Sequence, residues 1–371
     1  MNSLGEGNIS LNYTAMEYDS KKLSLFEFTM NVIVDGSLSV IGVICNSLAI
    51  AVIQKDRRKM SMAVLLQGLA SSDIVFLLYS FVYTTLRSVY PFTGALQGIY
   101  KASPYIVAYL LPIGWMAQTT SIWVVTMVTV DRWVAISRPF ASHKWCRVRY
   151  ARYTVLLAWL ASIVFNTPRF FYYHNLSFGQ HALINNTDTF IAHVDGVETM
   201  FWERYRTVYH IGLTWVFLFV IPLPVIVILN VKLIAAVYDA KRRQVSLTGS
   251  KCEKDTIAMT FNLIIVVSVF VLCESPDFIA SIITLNSLQF DPTLLAYFLT
   301  IKETLLVFNA SINFAIYCLF YDRFRRILKS IFCACNKEPS DIFSYMSDNN
   351  ILSASVSDLQ MHKLKVRERN S

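Results

Sequence analysis

Three groups of ionisable residues sit inside apolar stretches of this chain, where a charge is costly and needs a reason. The first is Asp131-Arg132-Trp133, an acid and a base side by side at the end of a long hydrophobic run. Opposite charges at a bilayer edge suit pairing or switching better than packing. The second is Asp73, midway along an apolar run, with Ser121, Asn309 and Asn313 as polar company in other runs. A carboxylate among hydroxyls and amides suits a small cation such as sodium; it also suits a protonated or hydrated aspartate that holds helices together. The third comprises Glu274, Asp277 and Glu303. Asp277 follows Glu274 by three residues and shares its helical face.

These groups need elements that hold them at depth. Of 371 residues, 55% are hydrophobic and only 16% charged, with a mean hydropathy of +0.46. A soluble protein carries nearer a quarter charged residues. The apolar residues fall in seven blocks, about 27–54, 61–88, 103–137, 150–173, 206–238, 255–286 and 293–320. Each exceeds the roughly 20 residues needed to cross a ~30 Å hydrocarbon core. The expected fold is an all-α membrane protein, a seven-transmembrane helix bundle with a short amphipathic eighth helix. Its parts are an extracellular tail (1–26), the seven-span bundle (27–321), the juxtamembrane helix (322–335) and a disordered cytoplasmic tail (336–371).

Lysines and arginines set the expected orientation. They crowd the loops after spans one, three, five and seven, as in Lys55-Asp-Arg-Arg-Lys59 and Lys241-Arg-Arg243, and the positive-inside rule places those loops in the cytoplasm. Lys21, Lys22, Arg87, Lys101, Arg169, Arg204 and Arg206 are the sparser cations of the other side. The sequons at Asn8, Asn12, Asn175 and Asn185 also fall outside, where glycosylation occurs. The N-terminus is therefore expected to be extracellular and the C-terminus cytoplasmic, at the plasma membrane, with span one as an uncleaved signal anchor. The net charge of +8 fits an anionic inner leaflet and needs no nucleic acid. None of the seven cysteines lies clearly outside, so no extracellular disulfide is expected. Cys333 and Cys335 follow a basic amphipathic stretch that suits palmitoylation; unmodified thiols are the plainer reading.

The ordered set of motifs resembles the rhodopsin-like (class A) G-protein-coupled receptors over roughly residues 28–335. Asn46, Leu69-Ala-x-x-Asp73, Asp131-Arg132, Trp159, Pro222, Pro276 and Asn309-x-x-x-Asn313-x-x-x-Tyr317 stand in the family's order. Ser137-Arg-Pro-Phe, Phe165-Asn-Thr-Pro-Arg-Phe and Ile312-Asn-Phe-Ala-Ile-Tyr-Cys-Leu are similar to invertebrate FMRFamide-type neuropeptide receptors. The resemblance implies a G-protein switch at Asp131, Arg132, Trp133, Asn313 and Tyr317, and an activation core at Ile122, Pro222 and Phe270. It implies no catalysis. Four positions depart from the pattern. Trp133 replaces a tyrosine, Phe314 a kinking proline, Glu274 a tryptophan, and Val107 the cysteine that would tether the loop of residues 174–205.

The third acidic group then reads as a ligand pocket. Glu303 precedes Asn313 by ten residues, about 15 Å along a helix, so Glu274, Asp277 and Glu303 can meet in the outer half with Tyr109, Gln118, Tyr297 and Lys302. If the finer resemblance holds, the arginine of an Arg-Phe-amide peptide is the expected guest, because a guanidinium pairs well with carboxylates. Two rival readings stand: Lys302 neutralises a carboxylate internally, or Glu274 is protonated and bonds a neighbouring helix. Activation is expected as a population shift that swings span six outward. Thr256, next to Asp255, stands where an acidic lock on Arg132 is usual, so raised basal activity is expected. Heterotrimeric G protein, receptor kinase, arrestin and the lipid bilayer are the expected partners, with Ser353, Ser355 and Ser357 as phosphorylation candidates. Two other classes remain: a chemosensory or small-molecule receptor of the same fold, and a channel or transporter using Asp73 and Glu274. An intramembrane protease is disfavoured, because Asp73 and Asp277 lie too far apart along the membrane normal.

Overall fold

Helix formation in these segments follows from their composition, since backbone groups without water must bond within the segment. The computed structural model describes residues 21–56, 60–138, 142, 144–174, 177–180, 190–193, 208–209, 212–246, 251–285 and 291–335. The spans are α1 (Lys21–Lys55), α2 (Ser61–Thr93), α3 (Ser103–Ser137) and α4 (Val148–His174). They continue with α5 (Pro222–Ser246), α6 (Lys251–Leu285) and α7 (Pro292–Phe320). A separate unit begins with the amphipathic helix α8 (Asp322–Cys335). The only strands among the described residues are β1 (Ser177–Gln180) and β2 (Phe190–His193), an antiparallel hairpin in the loop after α4. Seven helices are long and apolar enough to cross a membrane. Isoleucines 33, 41 and 44 of α1 and Leu156, Leu157 and Val164 of α4 are exposed, as lipid-facing surfaces require.

Boundaries differ from the expectation at several ends; α5 runs to Ser246 rather than 238 and α6 starts at Lys251 rather than 255. Helix α1 starts at Lys21 rather than 27, and α2 runs to Thr93 rather than 88. Both contain π-helical stretches, Thr29–Val34 and Phe81–Leu86, and a third, Val216–Val220, leads into α5. No side-chain pattern announces a π-turn, so these were not legible. The start of α7 is plain chemistry. Asp291 Oδ1 accepts from the amides of Thr293 (2.9 Å) and Leu294 (3.0 Å), and Pro292 follows as the first helical residue. With Phe314 in place of a proline, α7 continues unbroken to Phe320.

Helix α3 is the hub, touching α2, α4, α5 and α6. Close approach depends on missing side chains. A Cβ on Gly114 would lie 2.5 Å from the Tyr79 ring, and one on Gly68 would lie 2.7 Å from Val155. A core of Phe76, Leu77, Ala117, Leu306 and Val307 joins α2, α3 and α7. Hydroxyls on the spans mostly bond back to carbonyls one turn earlier, as Thr119, Thr126, Ser162 and Thr300 do, so few need partners in lipid. Asn46 ties α1 to α7 by donating to the Ala310 carbonyl at 2.8 Å.

Candidate functional site

"Inner" denotes here the end of the bundle that carries Arg132, and "outer" the opposite end. At the inner end Arg132 is 2% exposed. Its Nη2 meets Asp131 Oδ2 at 2.5 Å and its Nε meets the same oxygen at 3.1 Å. Ser61, the first residue of α2, donates to that oxygen at 3.1 Å, so α2 clamps the pair from the side. The Trp133 ring lies beneath the Arg138 guanidinium at 5.4 Å. Cys146 donates from Sγ to the Asp131 carbonyl at 3.5 Å. Burial first, then the negative charge of Asp131, pushes this thiol up to about 11, with Arg132 opposing. The side chains of Thr256, Cys333 and Cys335 lie outside the described residues, as do Asn8, Asn12, Asn175, Asn185 and the tail from 336 on.

At mid-depth Asp73 gathers its expected neighbours. Ser121 donates to Oδ1 at 3.3 Å and Asn313 to Oδ2 at 2.8 Å. Asn309 lines the same internal cavity, and so do Gln118 and Glu274. Ile122, Pro222 and Phe270 are buried, and so is Tyr317. Pro222 opens α5 directly after its π-turn, where the Ile221 amide bonds back to Val216 at 3.0 Å.

The acidic group divides in a way the sequence did not disclose. Glu274 is buried and accepts from Gln118 Nε2 at 3.3 Å, facing the Asp73 cavity rather than an open pocket. It stays within electrostatic range of Asp277 and Lys302. Asp277 and Glu303 converge instead on Lys302, whose Nζ lies 2.9 Å from Asp277 Oδ1 and 2.8 Å from Glu303 Oε1. The internal pairing of Lys302 is therefore the arrangement present. Two carboxylates around one ammonium still leave an excess negative charge, and Glu303 remains 41% exposed. Tyr297 stands edge-on to Phe26 at 4.8 Å. Tyr109 is half exposed, one turn from the more exposed Tyr105.

These placements, seven spans with Asn46, Asp73, Arg132, Pro222 and Asn313 all turned inward, match a known family. The chain fits "7 transmembrane receptor (rhodopsin family)" over residues 45–317. It belongs to that family. The receptor is 28% identical to the FMRFamide receptor of Drosophila melanogaster over 316 residues, 84% of this chain and 55% of that one. It thus spans little more than half the length of that relative. It is 28% identical to the FMRFamide peptide receptor frpr-18 of Caenorhabditis elegans, over 86% of this chain and 73% of the relative. With the Sex peptide receptor of Drosophila melanogaster it shares 29% identity, over 80% of this chain and 70% of the other. A receptor, not an enzyme, and a multi-pass membrane protein, is what the chain is.

Two groups in this receptor escaped sequence reasoning. Arg169, one of the sparse cations expected on the outer side, is fully buried in α4. Its Nε donates to Asn166 Oδ1 at 2.9 Å, its Nη2 to Thr214 Oγ1 at 2.8 Å, and its guanidinium lies 4.5 Å above the Trp115 ring. Asn166 in turn donates to Thr119 of α3 at 3.2 Å. The clue was Asn166 three residues before Arg169, a spacing that puts both on one face. The second is Asp35 of α1, also 0% exposed. An acid inside a span was signal enough, and it was passed over.

Proposed function

We propose that this receptor binds an extracellular neuropeptide, probed first as an amidated peptide ending in Arg-Phe-amide, and activates heterotrimeric G proteins by outward movement of α6. The observation that carries the reading is Glu303, a half-exposed carboxylate at the outer end that shares one lysine with Asp277. A guanidinium is the natural occupant of such excess negative charge. The printed names of the relatives, FMRFamide and sex peptide receptors, point to peptides as well. Ligand contact extends to Asp277 and Tyr297, with Gln118 and Glu274 beneath as the buried floor. The agonist favours the state with α6 swung outward, which releases Arg132 from Asp131 and Ser61 to meet the G protein. Asp73, Ser121, Asn309 and Asn313 supply oxygens suited to an allosteric sodium ion.

The remaining parts of the reading follow the charge pattern. The N-terminus is extracellular and glycosylated, the C-terminus cytoplasmic at the plasma membrane. Palmitoylation is placed at Cys333 and Cys335, and kinase and arrestin at the tail serines. The deciding experiment expresses the receptor with a promiscuous G protein and applies amidated peptides. An Arg-Phe-amide peptide should give a response that Glu303→Gln weakens about tenfold while leaving neutral agonists unaffected. A response only to another ligand class removes the Arg-Phe assignment and keeps the receptor.

A further inference from the structure

The face of α1 turned toward α2 and α7 carries an acid that the site above does not use. Asp35 is 0% exposed, and neither of its oxygens has a hydrogen-bond partner. Ser39 lies one turn inward on the same face, 1% exposed, its hydroxyl also without a partner. Thr304 of α7 stands close enough to Asp35 to act on its carboxyl, and its buried Oγ1 meets no partner in full hydrogen-bond geometry. Thr85 of α2 packs its methyl where a Cβ on Gly36 would be, 3.0 Å away, and its hydroxyl is engaged by the Asn31 carbonyl at 2.9 Å. Lys302 is held by Asp277 and Glu303. So a buried carboxylate, a hydroxyl beside it and another one turn along its own helix have no nitrogen donor supplied by these neighbours. A buried acid left this way is costly, and simple helix adhesion would have been served by an amide or a hydroxyl.

The chemistry of the three groups selects its guest. A primary ammonium carries three N–H donors and no acceptor, matching one carboxylate and two hydroxyls. A planar guanidinium with five donors fits a more open carboxylate such as Glu303. The two places are neighbours, because Thr304 follows Glu303 in sequence and Glu303 lies within electrostatic range of Asp35. Tyr297 stands two helical turns outward of Thr304 and is closed against Phe26, so parting that pair opens the way in. The π-helical stretch Thr29–Val34 ends at the residue before Asp35, and π-turns gather at functional sites.

We propose that Asp35, Ser39 and Thr304 form a second cation subsite, which takes the free α-amine of the peptide whose guanidinium docks at Glu303. This rests on the peptide reading above. The test compares Phe-Met-Arg-Phe-amide with its N-acetyl counterpart on cells expressing the full chain, in wild type, Asp35→Asn and the double variant Ser39→Ala, Thr304→Val. Surface amounts are matched by labelling intact cells. Acetylation should weaken potency on wild type about 10- to 100-fold. Asp35→Asn should weaken the free peptide comparably and erase the difference between the two peptides. The double variant should shrink that difference severalfold. Should Asp35→Asn not reach the surface, the double variant decides alone, and an unchanged ratio overturns the subsite. An equal acetylation cost in wild type and Asp35→Asn overturns it as well. Peptides of equal potency, with a potency that instead follows external sodium in an Asp35-dependent way, overturn it in favour of an inorganic ion. Silence of the wild type toward both peptides overturns the Arg-Phe reading and this one together.

Discussion

Two buried arginines mark opposite ends of the bundle and are held in opposite ways. Arg132 at the inner end leans on its own neighbour Asp131, with one hydroxyl from α2 steadying the pair. Arg169 in the outer half is bound within α4 to Asn166, across to Thr214 in the helical segment that leads into α5, and laid on a ring of α3. A guanidinium paired within one helix can let go without that helix moving. One that spans three helices cannot let go without loosening all three. The first arrangement suits a switch and the second a clasp. With Val107 in place of the family's usual cysteine, the clasp, about two to three turns further along α3 at Trp115 and Thr119, is a non-covalent tie between the helices.

The sharpest way to break the comparison is at the clasp. Arg169→Ala should strip hydrogen bonds from Asn166 and Thr214 and leave a void, costing about 3–5 kcal/mol. Loss of surface receptor and the largest drop in apparent Tm in detergent should follow. A stability equal to wild type would show that the three helices do not depend on it. Next comes packing at the α2–α3 seam. Gly114→Ala should push the Tyr79 ring, itself stacked on Tyr83 at 5.2 Å, at a cost of roughly 1–3 kcal/mol in the same assay.

At the switch end the expected effect is on signalling, not folding. Asp131→Asn removes the charge that holds Arg132 and should raise agonist-free nucleotide exchange about tenfold, roughly 1.4 kcal/mol of population shift. Unchanged basal exchange would remove the contrast between switch and clasp. The smallest effect is at Cys146. Its thiol, raised to about 11, is protonated at neutral pH, and thiolate grows only as pH climbs toward that value. Maleimide labelling mapped to Cys146 should therefore run well below the rate of an ordinary thiol, whose pKa is about 8.5, from pH 7 to 9.

Much of this molecule was legible because lipid imposes strict rules. Seven apolar blocks can hardly become anything but seven helices, and polar residues such as Asp73 and Asn313 had to face inward and find each other, at 2.8 Å. What stayed hidden depends on rotation about a helix axis. Glu274 and Asp277 share a face by spacing, yet one turns to Gln118 and the other to Lys302. Arg169 lies near the end of an apolar block, where a cation is usually taken to reach for water; the rings of Trp115 and Tyr209 and the oxygens of Asn166 and Thr214 explain its burial. The pairing of Lys302 was weighed, but distance alone could decide it.

The π-turns carry a consequence for how such a chain changes over time. Each accommodates an extra residue in its helix, so what lies beyond it is turned by about a quarter circle while what lies before keeps its phase. They include Thr29–Val34, Phe81–Leu86 and Val216–Val220, in the outer parts of α1 and α2 and at the entry to α5. They work as slip joints. A single inserted or deleted codon there re-aims the outer surface of α1, α2 or α5 and leaves the register of Asn46, Asp73 and the core around Pro222 untouched. The outer end can thus be recut while the inner end stays as it was.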